Sequence, residues 1–158
     1  MRAVDLVRGL EGPVVDVGSG GGAPGIPLAH ALPEVEFVLL EAARRKCEFL
    51  EEWAPPNARV IWGRAEEQET DWAGVALAKA LAPPQVAAEW CLPLVRPGGV
   101  VVLWVGETAE LDRVALVAER LAGALVAGPE GLLVIRKTGP TPPGYPRRVG
   151  VARKRPLA

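Results

Sequence analysis

The segment Val14-Val15-Asp16-Val17-Gly18-Ser19-Gly20-Gly21-Gly22-Ala23-Pro24-Gly25 constrains the fold more than any other part of the chain. An apolar run carrying an acid breaks into a glycine-rich turn, and Ile26-Pro27-Leu28-Ala29 then resumes an apolar pattern. That order reads as a buried strand, a tight loop and the start of a helix, the place where open α/β sheets hold nucleotides. Glycines there let the backbone approach a ligand that a Cβ would strike.

The rest of the chain keeps the same alternation. Strands are expected over 14–17, 36–40, 59–62, 74–77 and 100–105, and helices over 25–32, 42–53, 84–94 and 111–121. Residues 123–127 and 132–136 read as a closing antiparallel pair. Short loops between alternating elements imply an α/β fold with a doubly wound, mostly parallel sheet. At 158 residues and 49% hydrophobic content, residues 1–137 can form one domain whose sheet is covered on both faces. Residues 138–158, with five prolines, read as a basic, extended arm packed on that domain.

No apolar run is long enough to cross a membrane, and Asp5 without an apolar core opposes a signal peptide. A cytoplasmic chain with no membrane partner is expected. Cys47 and Cys91 are too few and too far apart for a disulfide framework or zinc knuckle, so they read as buried thiols. His30 is the only histidine and is given a structural role, so no metal is expected.

Gly20, Gly22 and Gly25 form a literal G-x-G-x-x-G, which admits a dinucleotide. Asp16, two residues before the first glycine, would face a ligand and repel a pyrophosphate. It could instead accept hydrogen bonds or attract a sulfonium or amino-acid cation. Pro24 and Pro27 remove backbone donors where phosphate would sit. The acid-x-Gly-x-Gly-x-Gly turn looks like the S-adenosylmethionine (SAM) loop of class I methyltransferases. A dinucleotide site and a ligand-free turn are the alternatives.

Glu41 closes the second strand, 25 residues after Asp16. An acid at that position can accept both hydroxyls of a ribose, the alternative being a cap for the next helix, for which Glu is poorly suited. After the third strand, Ala65 and Glu66 are placed to border an adenine through backbone donors and a carboxylate. A solvated acidic turn is the rival reading. After the fourth strand, Ala82 and Gln85 supply neither the polar acceptor nor the stacking face that amine methylation needs. No cysteine follows either, which removes a covalent route to a pyrimidine carbon. A substrate atom that is already nucleophilic remains. Guanine N7 is one, and its methylation needs alignment rather than a general base. Trp62, Trp72 and Trp104 are candidates for stacking a base.

The charge is unevenly spread. Residues 1–130 hold 11 basic and 19 acidic residues, a net −8, whereas residues 131–158 hold seven basic residues and no acid. A basic terminus on an acidic body is the pattern of a phosphate-contacting arm, or of a tail that serves only solubility.

With these residues in hand, the chain resembles the small-subunit rRNA guanine-N7 methyltransferases, the glucose-inhibited division protein B family. Asp16–Ala29 is similar to that family's D-V-G-S-G-x-G-x-P-G-I-P-L-A loop. Leu39-Leu40-Glu41 with Arg45-Lys46-Cys47-Glu48-Phe49-Leu50, Gly63-Arg64-Ala65-Glu66, and Cys91-Leu92-Pro93-Leu94-Val95 with Pro97-Gly98-Gly99 resemble further family motifs. Thr141-Pro142-Pro143-Gly144-Tyr145-Pro146-Arg147-Arg148 and Gly150 look like T-P-x-x-Y-P-R-x-x-G. The motifs span roughly residues 14–158.

The resemblance implies a class I SAM-dependent methyltransferase (Rossmann-like) fold, SAM as cofactor, and rRNA or the small ribosomal subunit as partner. It implies cofactor contacts from Asp16, Gly18, Ser19, Gly20, Gly22, Pro24, Gly25, Glu41, Ala65, Glu66 and Lys79. RNA contacts are expected from Arg147, Arg148, Arg153, Lys154 and Arg155, with no catalytic residue assigned. Three departures stand out. With 13 residues before Val14, the family's N-terminal helical segment is expected to be missing. Lys79 stands for an arginine, which loses a bidentate fork, and Val105 stands for a lysine. An rRNA methyltransferase is therefore expected, the alternative being a shortened SAM- or RNA-binding paralogue without that activity.

Overall fold

The computed structural model describes residues 2–158. Its seven strands are β1 (Val14–Val17), β2 (Phe37–Glu41), β3 (Ala58–Trp62), β4 (Ala73–Lys79), β5 (Val95–Trp104), β6 (Gly123–Val126) and β7 (Leu132–Lys137). The helices are α1 (Arg2–Val7), α2 (Gly25–Ala31), α3 (Arg44–Trp53), α4 (Pro84–Cys91), α5 (Leu111–Arg120) and α6 (Val151–Lys154).

The strands form one sheet in the order β3-β2-β1-β4-β5-β7-β6. The first five are mutually parallel, and β7 runs antiparallel to β5 and to β6. Strand order reverses between β1 and β4, so the crevice beyond their carboxyl ends is where such a sheet receives a ligand.

Alternation along each strand sends side chains to two cores. Val15, Val17, Val38 and Leu40 meet α4 and α5 on one face. Val14, Phe37, Val75 and Val102 meet α1 and α2 on the other. Burial on both faces explains why β1 and β2 read as continuous apolar runs. β3 is an edge strand and stays partly exposed along its length.

Four features differ from the sequence expectations. α1 was not anticipated, and β4 is longer at both ends, because pairing with β5 rather than local pattern sets its length. The helix expected over 84–94 ends at Cys91 and tightens into a 3-10 turn, Leu92–Leu94, where Pro93 cannot continue an α-helical ladder. β5 begins at Val95, and Arg96-Pro97-Gly98-Gly99 forms an excursion inside it. Ala73 pairs with Val95, and pairing resumes between Val75 and Val100.

The arm is tied to the sheet by Lys137. Its Nζ is buried and donates to Asp71 Oδ1 (3.0 Å), Thr141 Oγ1 (2.8 Å) and the carbonyls of Leu92 (2.7 Å) and Val95 (2.9 Å). One of the seven basic residues counted with the solvent-facing terminus is thus an internal anchor. Farther on, the arm is not extended throughout, because Val151–Lys154 form a helical turn.

Candidate functional site

The glycine loop is shaped from beneath by Asp16. Its carboxylate is buried and turned into the loop, where Oδ2 accepts from Ser19 Oγ (2.7 Å) and from the Gly25 N–H (3.0 Å). The acid therefore satisfies a helix N-terminus that has no side-chain cap of its own. Gly25 is required there, since a Cβ would lie 2.6 Å from that same Oδ2 and 2.6 Å from Leu39 Cδ2. Burial pushes the Asp16 pKa up to about 6 against the Ser19 and Gly25 hydrogen bonds, with Glu41 adding to the rise. The Asp16 carboxylate, expected to face a ligand, is instead turned into the loop that it holds together. Gly18, at φ +68°, leaves the room that Leu81 fills above the loop.

A cleft of about 300 Å³ opens beyond the strand ends. β1 contributes Val17, the glycine loop Gly18, β2 contributes Leu40 and Glu41, and the turn after β3 contributes Ala65 and Glu66. Leu81 comes from the loop after β4, Trp90 from α4, and Gly150 and Arg153 from the arm. Glu41 is mostly buried at the floor, with Oε2 accepting from the Gly20 N–H (2.8 Å) and Oε1 from the Ala43 N–H (2.9 Å). It thereby couples the glycine loop to the start of α3. The Trp90 indole N–H is buried at this wall without a hydrogen-bond partner.

Of the expected cofactor residues, Gly18, Glu41, Ala65 and Glu66 line the cleft. Asp16, Ser19, Gly20, Gly22, Pro24 and Gly25 build the loop behind its wall. Lys79 is exposed at the end of β4, off that wall, while Ala80 and Leu81 just after it line the cleft. Sequence reasoning did not single out Lys46, Arg64, Trp90 and Gly150, which also line it. Lys46, Arg64 and Gly150 stand in the motifs that carry the family resemblance but were given no site role, whereas nothing local marks Trp90.

The arm closes one side. Gly150 N–H donates to Glu66 Oε1 (3.3 Å), and the Arg153 guanidinium lies 5.5 Å from the Trp90 ring centroid. Arg147, expected to face RNA, is committed inward. Its Nε and Nη2 each lie 2.6 Å from the two oxygens of buried Glu89, and Nη2 also donates to the Arg155 carbonyl (2.9 Å). A bidentate pair of this kind is an anchor rather than a free phosphate contact. Arg148, Arg153, Lys154 and Arg155 remain exposed. Of the tryptophans considered for stacking, Trp72 and Trp104 pack against the cores, whereas Trp62 is 62% exposed. Among the described residues no group of three or more His, Cys, Asp or Glu side chains could hold a metal, and no helix is long and apolar enough to cross a membrane.

A doubly wound sheet with a glycine loop after β1, an acid at the end of β2 and an antiparallel final pair is the class I SAM-dependent methyltransferase fold. Solved structures share it. The Thermus thermophilus 16S rRNA N2 G1207 methyltransferase RsmC, in complex with AdoMet and guanosine, superposes with a TM-score of 0.66 at 16% identity, over 90% of this chain and 39% of that one. The antibiotic-resistance methyltransferase Kmr superposes with a TM-score of 0.63 at 16% identity, over 88% and 93%.

The chain belongs to the GidB family, rRNA small subunit methyltransferase G, whose family model matches residues 1–122. That match begins ahead of the motifs recognised from residue 14 onward. It is 37% identical to the ribosomal RNA small subunit methyltransferase G of Synechococcus sp. (strain JA-2-3B'a(2-13)), over 90% of this chain and 63% of the relative. With the protein of that name from Pelotomaculum thermopropionicum the identity is 37%, over 99% and 74%.

Proposed function

We propose that this chain transfers the methyl group of SAM to guanine N7 of small-subunit rRNA. The observation that carries the reading is the cleft, where the glycine loop, Glu41 and the Ala65–Glu66 turn arrive from three strand ends at one space of about 300 Å³. That volume is at the lower end of small-ligand sites. Its donor set suits an adenosine. An ionised carboxylate offers about four lone-pair positions, so Glu41 can receive two ribose hydroxyls while it keeps the Gly20 and Ala43 hydrogen bonds. Ala65 and Glu66 present a backbone donor and an acceptor for the edge of an adenine, and Trp90 adds an aromatic side chain to the lining.

When bound, SAM supplies an electrophilic methyl group on a sulfonium cation. Guanine N7 offers an exposed lone pair in the plane of the base. Its attack transfers the positive charge to the guanine and releases no proton, so positioning replaces a general base. Arg148, Arg153, Lys154 and Arg155 are the arm's candidates for RNA phosphates, and Arg147 holds the arm in place. A ribosomal substrate places this activity in the cytoplasm.

The test is methyl transfer from labelled SAM to small ribosomal subunits lacking their guanine-N7 mark, read by chemical cleavage at the modified base. Label at one guanine is expected. Protein that binds SAM in the same buffer yet labels nothing would leave the SAM- or RNA-binding paralogue as the reading. Glu41→Ala should weaken SAM binding by about 1–3 kcal/mol, the cost of unpaired ribose hydroxyls. Unchanged affinity by calorimetry would remove Glu41 from the site.

A further inference from the structure

We propose that Trp62 and the Arg44 guanidinium over it form a stacking platform for an unpaired base of single-stranded RNA, beside the mouth of the cleft. The inference rests on the reading of RNA as substrate and specifies a surface for it. Trp62 ends the edge strand β3 and remains 62% exposed, although its indole is held in one orientation. Nε1–H donates to the Ala42 carbonyl (3.0 Å), and the Arg44 guanidinium lies 5.5 Å from the ring centroid. A large ring that folding leaves uncovered but fixed is pre-organised, so a stacking partner meets little further ordering cost. Among the described residues, Arg44 also forms an ion pair with Glu48 at 3.7 Å, an exposed i,i+4 pair of small worth.

The surroundings identify the partner. Trp62 leads directly into Gly63 and Arg64, and Arg44 precedes Lys46 by two residues; Gly63, Arg64 and Lys46 all line the cleft. Arg44, Arg45 and Lys46 are consecutive cations in a body whose first 130 residues carry a net −8. Of the nearby acids, Glu41 and Glu66 already accept backbone N–H groups, and Glu48 is paired with Arg44. A second copy of the chain would call for an apolar centre depleted in charge. Here the aromatic face is flanked by cations that can follow a phosphate backbone, the combination that single-stranded nucleic acid requires.

The experiment uses the full chain and a fluorescein-labelled, unstructured 12-nucleotide RNA, with an RNA duplex as the comparison. Trp62→Ala should weaken single-strand binding roughly tenfold to a hundredfold, and Trp62→Phe should recover most of it. SAM affinity should stay at the wild-type value, because Trp62 does not line the cleft. Arg44→Glu, an exposed change that keeps the ring, should also weaken binding and should flatten its salt dependence by at least the roughly 0.7 expected for one phosphate contact. Wild-type single-strand affinity in both variants would overturn the platform while leaving the methyltransferase reading intact. A wild-type chain that neither binds RNA nor methylates subunits would overturn both. A dimer seen by light scattering and abolished by Trp62→Ala would assign this face to a second copy and overturn the RNA platform.

Discussion

At the scale of single residues, Asp16 joins stability to the shape of the site. Burial raises its pKa from 3.8 to about 6, against hydrogen bonds from Ser19 and Gly25 and with a contribution from Glu41. Between those two pH values the folded chain holds a proton that the unfolded chain has released. Stability from this group is therefore full below about pH 4, falls as pH rises toward 6, and is level beyond it. The loss is of order 3 kcal/mol. Asp16→Asn should remove this slope and keep the fold, because one amide oxygen can accept both the Ser19 and Gly25 donors that now share Oδ2. Urea unfolding at pH 4.5 and 7.5 checks it, and an identical pH dependence in both proteins would rule Asp16 out as its source. Asp16→Ala instead strands the buried Gly25 N–H, at on the order of 1–3 kcal/mol, and leaves Ser19 Oγ only its longer contact with the Asp16 backbone carbonyl (3.3 Å). The loop should then loosen and SAM affinity should fall with stability.

At the scale of elements, the arm is held by side chains whose partners lie far away in sequence. Arg147 meets Glu89, 58 residues earlier, and Lys137 meets Asp71, 66 residues earlier. Removing one member of a buried pair strands the other charge, which typically costs 3–5 kcal/mol. Because the Arg147 side chain keeps 22% exposure, the low end, about 3 kcal/mol, is expected for Arg147→Ala. Arg148→Ala, one residue on and exposed, should stay within about 0.5 kcal/mol. Equal unfolding midpoints for the two variants would show that Glu89 does not anchor the arm.

These pairs also mark the limit of what the sequence disclosed. The alternation of β1, α2, β2 and α3 was readable because period and glycine content are local, and that Glu41, Ala65 and Glu66 sit at the strand ends bordering the cleft followed from their places after successive strands. Nothing local separates Lys137 or Arg147 from Arg148, since charge type does not reveal burial. Trp90 likewise reaches the cleft only because α4 packs beneath it. The ends of β4 depended on its neighbour β5, and the direction of the Asp16 carboxylate, into the loop rather than toward the cleft, depended on the Ser19 and Gly25 donors that the fold brings to it.

At the scale of the whole molecule, an acidic body carries a cationic terminus that is structural in one part and free in another. Arg148, Lys154 and Arg155 are exposed and lie off the cleft wall, whereas Gly150 and Arg153 are part of it. The two roles can therefore be separated. Replacing Arg148, Lys154 and Arg155 together by serine should lower RNA affinity and reduce its salt slope by about 2, at roughly 0.7 per phosphate contact. SAM affinity and stability should hold, because the Arg155 group that Arg147 uses is a backbone carbonyl, which serine retains. Deleting residues 147–158 should behave differently. It strips the cleft of Gly150 and Arg153, frees Glu66 from the Gly150 N–H and leaves buried Glu89 without its guanidinium. SAM affinity and stability should fall along with RNA binding. If the deletion instead spares SAM binding and the unfolding midpoint, the arm is a detachable RNA tether. If the triple variant loses SAM affinity as the deletion does, RNA capture and cofactor retention depend on one structure.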